Sequence, residues 1–266
     1  MPELPEVETV ARGLRAALVG RRVVRVWTSG LGLRRPVDAR ALRGVVGRTI
    51  VAVRRRGKYL LLDLDDGRAM LSHLGMTGRL VVGTAAPPPH THVKLGLDRG
   101  TLCFADARRF GLIRVCGRDG APELSALGPD ALEDLSVEHL ARACRRTRRR
   151  IKDVLLDQRV AAGIGNIYAC EALYRSGIDP RRRAHRLPRA VVAGLFAAVR
   201  EVLSAGVAGR GTTLRDFVAA DGRPGEYAQE LRVYGRAGDP CDQCGSNIRR
   251  VVWGSRSSFL CPRCQK

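Results

Sequence analysis

Apolar residues recur at helical spacing in VETVARGLRAAL, where Val7, Val10, Leu14 and Leu18 share one face, with acids early and arginines late, as the helix dipole favours. The pattern predicts a helix from about Val7 to Leu18. Between Arg22 and Arg114 the texture changes to short alternating runs such as RVVRVW, TIVAVRR, YLLLDLDDG, RLVVG, HVKLGLDRG and TLCFAD, several ending in Gly or Asp-Gly. Runs of this kind predict an antiparallel sandwich or barrel, interrupted by a proline-rich loop, TAAPPPHTH. After LGPDAL the three-and-four spacing returns in SVEHLARACRRTRRRIKDVLLDQ, NIYACEALYRSG and LPRAVVAGLFAAVREVLSAGV. A second, helical domain follows. The boundary is expected near residues 120–135, and the tail from about Asp239 reads as a separate small module.

Charge narrows the function. The 266 residues include 47 Lys plus Arg against 26 Asp plus Glu, a formal net charge of +21, so a polyanion is the expected partner. An apolar share of 45% is ordinary for a globular protein, and the length allows two domains. No stretch approaches the ~20 consecutive apolar residues of a bilayer span, and the first residues lack an apolar signal core. The reading expects a cytosolic protein.

Cysteines add a metal. Cys241 and Cys244, then Cys261 and Cys264, form C-x2-C, sixteen residues, C-x2-C. Two such knuckles joined by a hairpin converge four thiolates on one tetrahedral zinc. A module this short buries too little apolar surface to fold alone, so the zinc is structural. The connector carries Arg249, Arg250 and Arg256 with Ser255, Ser257 and Ser258, side chains suited to phosphate oxygens. Cys103, Cys116, Cys144 and Cys170 are scattered and are expected as small core residues.

The start, MPELPEVETV, reads by itself as a tolerant leader before a helix. Together with GKYLLL, HLGMTGRL, DARRFG, LLDQRVAAGIGNIYACEAL, GTTLRDFVAADGRPG, ELRVYGR and the four-cysteine tail, it resembles the formamidopyrimidine-DNA glycosylase and endonuclease VIII family, and most closely the bacterial enzymes for oxidised purines. The resemblance implies an α+β fold: an N-terminal β-sandwich with a flanking helix (1–125), a helix-two-turn-helix domain (130–235) and a zinc ribbon (236–266). It implies a bifunctional DNA glycosylase and AP lyase of base excision repair. Such an enzyme would act as a monomer on damaged double-stranded DNA in the bacterial cytoplasm, at the nucleoid, with no membrane or obligate protein partner. Two alternatives stand beside it: an endonuclease VIII-like enzyme for oxidised pyrimidines, and a non-enzymatic binder of damaged DNA.

Roles follow from the resemblance, residue by residue. Proline alone gives a chain end a secondary amine. Once Met1 is removed, Pro2 would attack the damaged sugar and form a cationic iminium. Glu3 falls where the family keeps its general acid, and Glu6 matches a further acid near the site or simply favours the helix start. Lys58, one of only four lysines, matches the lysine that assists β-elimination. Arg256 matches the ribbon arginine associated with phosphate grip and δ-elimination. Met76, Arg108 and Phe110 match the residues that fill the void left by an extruded nucleotide, although Met76 and Phe110 also read as core residues. His90 matches a DNA-contacting position, and Asn166 and Lys152 match backbone contacts. The family's basic residue before the IK pair falls on Thr147, where Arg146 or Arg148 would substitute. The segment near Thr212 and Thr213 resembles a loop that closes over the flipped lesion.

Overall fold

A computed structural model describes residues 1–83, 86–117, 120–213, 224–253 and 255–266. The chain divides into two compact units, Met1–Ala126 with Gly209–Glu226, and Leu127–Ala208 with Tyr227–Lys266.

The first unit opens with helix α1 (Leu4–Leu18), which begins earlier than its apolar spacing predicts. Pro5 in the first turn and a capping box between Glu3 and Glu6 explain the difference: proline's missing N–H costs nothing there, and the acids satisfy free backbone donors. Eight strands follow: β1 (Val23–Thr28), β2 (Ile50–Arg56), β3 (Tyr59–Leu64), β4 (Arg68–His73), β5 (Arg79–Val82), β6 (Thr91–Leu97), β7 (Thr101–Ala105) and β8 (Leu112–Gly117). They make two antiparallel sheets, ordered β1-β6-β7-β5 and β2-β3-β4-β8. Short helices α2 (Ala39–Arg43) and α3 (Pro122–Ser125) complete the unit.

Both sheets and α1 contribute to one core, in which Val7, Leu14, Leu60, Leu62, Val93 and Phe104 are buried together. Strand β3 explains the run YLLLDL. Leu60, Leu62 and Leu64 enter that core, whereas Leu61 joins Leu71 and Ala121 in a second cluster against which Leu124 of α3 packs. A strand covered on both faces has no polar side, so alternation disappears. Each such leucine stabilises the unit by about 1.5–3 kcal/mol.

The second unit contains α4 (Val137–Arg145), α5 (Ile151–Leu155), α6 (Asn166–Arg175), α7 (Arg189–Ala208) and a hairpin of β9 (Arg249–Trp253) and β10 (Arg256–Leu260). Helix α7 is long and apolar enough to cross a membrane by length and composition, a property that the count of consecutive apolar residues does not reveal. Val192, Leu195, Val199, Val202 and Leu203 are buried along it. Gly206 is required because a Cβ there would meet the Tyr168 ring at 2.5 Å. Of the four scattered cysteines, Cys103, Cys144 and Cys170 are buried; Cys116 is only half-buried.

Candidate active site and nucleic-acid interface

Pro2 and Glu3 are both buried at the head of α1, while Met1 stands exposed. Glu3 N–H donates to Glu6 Oε2 at 2.7 Å, and Glu6 Oε1 accepts from the Thr212 N–H at 2.7 Å. Glu6 therefore does more than begin a helix: its two oxygens tie the catalytic candidate Glu3 to the segment at Thr212. Gly211, at φ 83, has a Cβ position 3.0 Å from the Glu6 side chain, so glycine permits this approach. Thr213 Oγ1 accepts from Gly225 N–H at 2.7 Å. The rest of the expected lesion-closing loop, residues 214–223, lies outside the described residues.

Lys58 is buried in the two-residue turn between β2 and β3, where Arg56 pairs with Tyr59. Gly57 supplies the positive φ of 56° that the first turn position needs. Arg55, nearly inaccessible, donates through Nε to Glu8 Oε2 at 3.0 Å and through Nη1 to Gly57 O at 3.3 Å. The pair fastens the lysine turn to α1. Burial pushes the Glu8 carboxyl up, but hydrogen bonds and charge from Arg55 and Arg15 outweigh it and hold the group below its usual value. His73 accepts at Nδ1 from Gly75 N–H at 2.9 Å, and its ring lies 4.9 Å from that of Tyr59. Burial, then the charges of Arg34 and Lys58, lower His73 to about 3. It stays neutral beside the lysine at working pH.

Met76 and Phe110 are 41% and 45% exposed, which settles the choice between core and surface: neither is a core residue. The Arg108 guanidinium lies 4.8 Å from the Phe110 ring centre. The three candidates sit on two turns joined by one buried acid, Asp106. Its Oδ1 accepts from Thr77 Oγ1 at 2.5 Å and from Arg108 N–H at 3.3 Å, and its Oδ2 from Gly111 N–H at 2.7 Å. Arg34 Nε adds a bond to Phe110 O at 3.0 Å. His90 is exposed at φ 59, and its carbonyl accepts from Asp106 N–H.

In the second unit the turn before α6 is held by Gln158, which donates to Leu156 O and Ile164 O and accepts from Gly163 N–H. This fixes Asn166 at the start of the helix, where its Nδ2 donates to Ser257 O at 2.9 Å. Lys152, expected as a backbone contact, is 3% exposed, and its ammonium donates to Ser257 O at 2.9 Å and Ser258 Oγ at 2.7 Å. Both residues thus anchor the hairpin whose tip carries the exposed Arg256. Thr147 turns its hydroxyl to the N–H and Nε of Arg149, so the charge at this point belongs to the neighbouring arginines. A cavity of about 430 Å³ is lined by Arg149, Arg150, Lys152, Arg159, Trp253 and Arg256, among others, and Arg150 stacks over the Trp253 ring at 4.9 Å.

The sulfurs of Cys241, Cys244, Cys261 and Cys264 all lie within 4.8 Å of one another, the donor set and spacing of a tetrahedral zinc site. Tyr174 OH lies 3.2 Å from Cys241 Sγ, and Cys170, Tyr174, Val233 and Phe259 pack with the ligands in one cluster. Glu171, buried on α6, accepts the N–H groups of Arg232, Val233 and Tyr234, which anchors the chain as it enters the ribbon. Four protein thiolates leave the metal no open position; it folds and orients the hairpin.

Arg55, His73, Asp106 and Trp253 also line these sites without having been singled out by the sequence patterns. Asp106 carried a signal, an acid flanked by FA and ARRFG; the others depend on partners distant in the chain.

Comparison with known proteins covers nearly all of these features. Residues 1–113 match the formamidopyrimidine-DNA glycosylase N-terminal domain, 127–218 the formamidopyrimidine-DNA glycosylase H2TH domain, and 238–266 the zinc finger found in FPG and IleRS. A formamidopyrimidine-DNA glycosylase of Rhizorhabdus wittichii is 47% identical over 271 residues, covering all of both chains. The crystal structure of the MutM (FPG) protein from Thermus thermophilus superposes with a TM-score of 0.91 at 41% identity, covering 99% of this chain and 98% of that one. A Lactococcus lactis FPG variant in complex with Fapy-dG-containing DNA gives a TM-score of 0.92 at 31% identity with full coverage of both. The chain belongs to the formamidopyrimidine-DNA glycosylase family and is a zinc-finger DNA glycosylase of base excision repair.

Proposed function

We propose that this glycosylase excises oxidised purines from duplex DNA and then cleaves the strand as an AP lyase, through an iminium on Pro2. The observation that carries the reading is the buried Pro2-Glu3 start of α1, with the Glu3 N–H held by Glu6, which also takes the Thr212 N–H. With Met1 removed, the Pro2 nitrogen is a secondary amine of modest basicity, free in part near neutral pH. Its lone pair attacks C1′ of the damaged nucleotide; the C1′–N bond to the base breaks and its electrons leave with the base. Glu3 delivers a proton to the ring oxygen as the C1′–O4′ bond opens, which leaves the cationic iminium.

Lys58 assists the following β-elimination, in which loss of a C2′ proton expels the 3′ phosphate. A lysine does this best when its neighbour is uncharged, and neutral His73 meets that condition. Arg256 grips phosphate at the lesion and assists the second elimination, with Arg108, Met76 and Phe110 holding the vacated stack. His90, Asn166 and the arginines beside Thr147 position the duplex backbone; Lys152 supports the hairpin. Zinc held by Cys241, Cys244, Cys261 and Cys264 orients that hairpin and takes no part in the bond changes. The protein acts as a monomer at the bacterial nucleoid. The purine preference is supported by the Fapy-dG ligand of the Lactococcus lactis complex.

The test is a comparison of single-turnover excision on otherwise identical duplexes carrying 8-oxoguanine, a formamidopyrimidine or an oxidised pyrimidine. Purine lesions are expected to be released faster. Preference for the pyrimidine would move the chain to the endonuclease VIII type, and absence of any release would leave only a damaged-DNA binder.

A further inference from the structure

The second unit holds an arginine-rich loop, RRRAHR at 181–186, that the scheme above does not use. Backbone bonds lace it to the run RRTRRR at 145–150. Ile151 N–H donates to Arg182 O at 2.8 Å, Ala184 N–H to Arg149 O at 3.0 Å, and Arg150 bridges to Arg183. Arg183 Nη1 reaches Arg148 O at 2.9 Å. Eight arginines are thereby held on two joined loops, with Arg145 beside them at the end of α4, and like charges at such spacing repel.

Acids offset few of them. Arg181 pairs with Asp179 at 2.6 Å and Arg149 with Asp157 at 3.0 Å. Among the described residues, Arg182, Arg183 and Arg186 make no ion pair with a carboxylate side chain; Arg182 Nη1 instead donates to Lys266 O at 3.4 Å and Arg183 Nη1 to Arg148 O. A fold that concentrates charge and pairs only part of it is best balanced by an external anion.

Position indicates which anion. The cavity around Arg256 extends to Pro180, and a second cavity of about 480 Å³ starts at the adjoining Asp179 and is lined by Arg181, Arg182, Arg183, Arg186 and Lys266. One basic surface therefore continues from the hairpin tip past the 181–186 loop. We infer that this loop and Lys266 form a second phosphate-binding shelf, which holds duplex DNA beyond the contacts made near the lesion. Guanidinium groups suit phosphodiester oxygens in bidentate geometry, and a shelf that reaches only phosphates is indifferent to sequence and to damage. The inference rests on the proposed duplex substrate.

The experiment measures binding as a function of salt, using a lesion duplex just long enough to bind and an undamaged duplex roughly twice its length. Each phosphate contact contributes about 0.9 to the slope of log affinity against log salt. The combined variant Arg182→Ala, Arg183→Ala, Arg186→Ala is expected to lower the slope on the long duplex by about 2–3, and to leave the short-duplex slope as in the parent. The corresponding triple lysine variant should keep the long-duplex slope, which separates lost charge from lost folding. Equal slopes for alanine variant and parent on the long duplex would overturn the shelf. So would an equal loss on both lengths, which would place these arginines at the lesion contacts. A parent protein that shows the full slope yet excises no base would contradict the enzymatic reading while the shelf stood.

Discussion

At the residue scale, two buried side chains, His73 and Asp106, make testable predictions. His73 is neutral in the fold because burial and the nearby Arg34 and Lys58 charges depress it to about 3 from its ordinary 6.5. Between those values the unfolded chain takes up a proton that the native state refuses, so stability falls as pH drops from 6.5 toward 3. Replacing His73→Gln should flatten this part of a denaturation profile; a profile unchanged from the parent would contradict the assignment. Asp106 accepts from the two turns that carry Met76, Arg108 and Phe110. Asp106→Asn places an amide donor against one of those donors, which costs about 1–3 kcal/mol, and should reduce discrimination between lesion and undamaged duplex. That is read as the ratio of kcat/KM values, with loss expected in the lesion term. Pro2, Glu3 and Lys58 could be put forward as catalytic candidates from the sequence because the motifs that hold them are contiguous. The sequence hid the Glu8–Arg55 pair and the Lys152–Ser258 contact because these join residues far apart in the chain.

At the scale of elements, periodicity revealed what one-sided burial produces. Helix α1 and the strand-rich segment were legible for that reason. The doubly covered β3, the short α2 and α3, and the grouping of 209–226 with the first unit were not, since each depends on what packs against it. The ribbon was legible because metal ligation demands fixed spacing in the chain. Its cluster with Cys170 and Tyr174 of α6 sets an expectation. Zinc binding supplies the folding energy of such modules, on the order of 10 kcal/mol, so Cys244→Ser should unfold the hairpin and release Arg256, Asn166 and Lys152 from their common support. Duplex affinity should drop at least tenfold while the sandwich keeps its own unfolding transition. Zinc content, circular dichroism and binding measured on one sample check this, and full affinity in a zinc-free protein would refute it.

The whole molecule is a strongly basic chain, +21 in formal charge, and its association with DNA should be governed by counterion release. Affinity is predicted to fall by at least about tenfold between 50 and 200 mM salt, with or without a lesion; a flat titration would contradict this. Composition alone pointed to a polyanion, whereas the roles proposed for Pro2 and for Arg256 rest on the resemblance to a known family. On the proposed mechanism the Pro2 nitrogen forms the covalent intermediate. Borohydride reduction during turnover of an 8-oxoguanine duplex, followed by peptide mapping, tests it most directly. The processed protein should yield a cross-link at Pro2, and a protein retaining Met1, whose Pro2 nitrogen is an amide with a delocalised lone pair, should yield none. A cross-link mapped to Lys58, or full trapping by the Met1-retaining protein, would rule out Pro2 as the nucleophile.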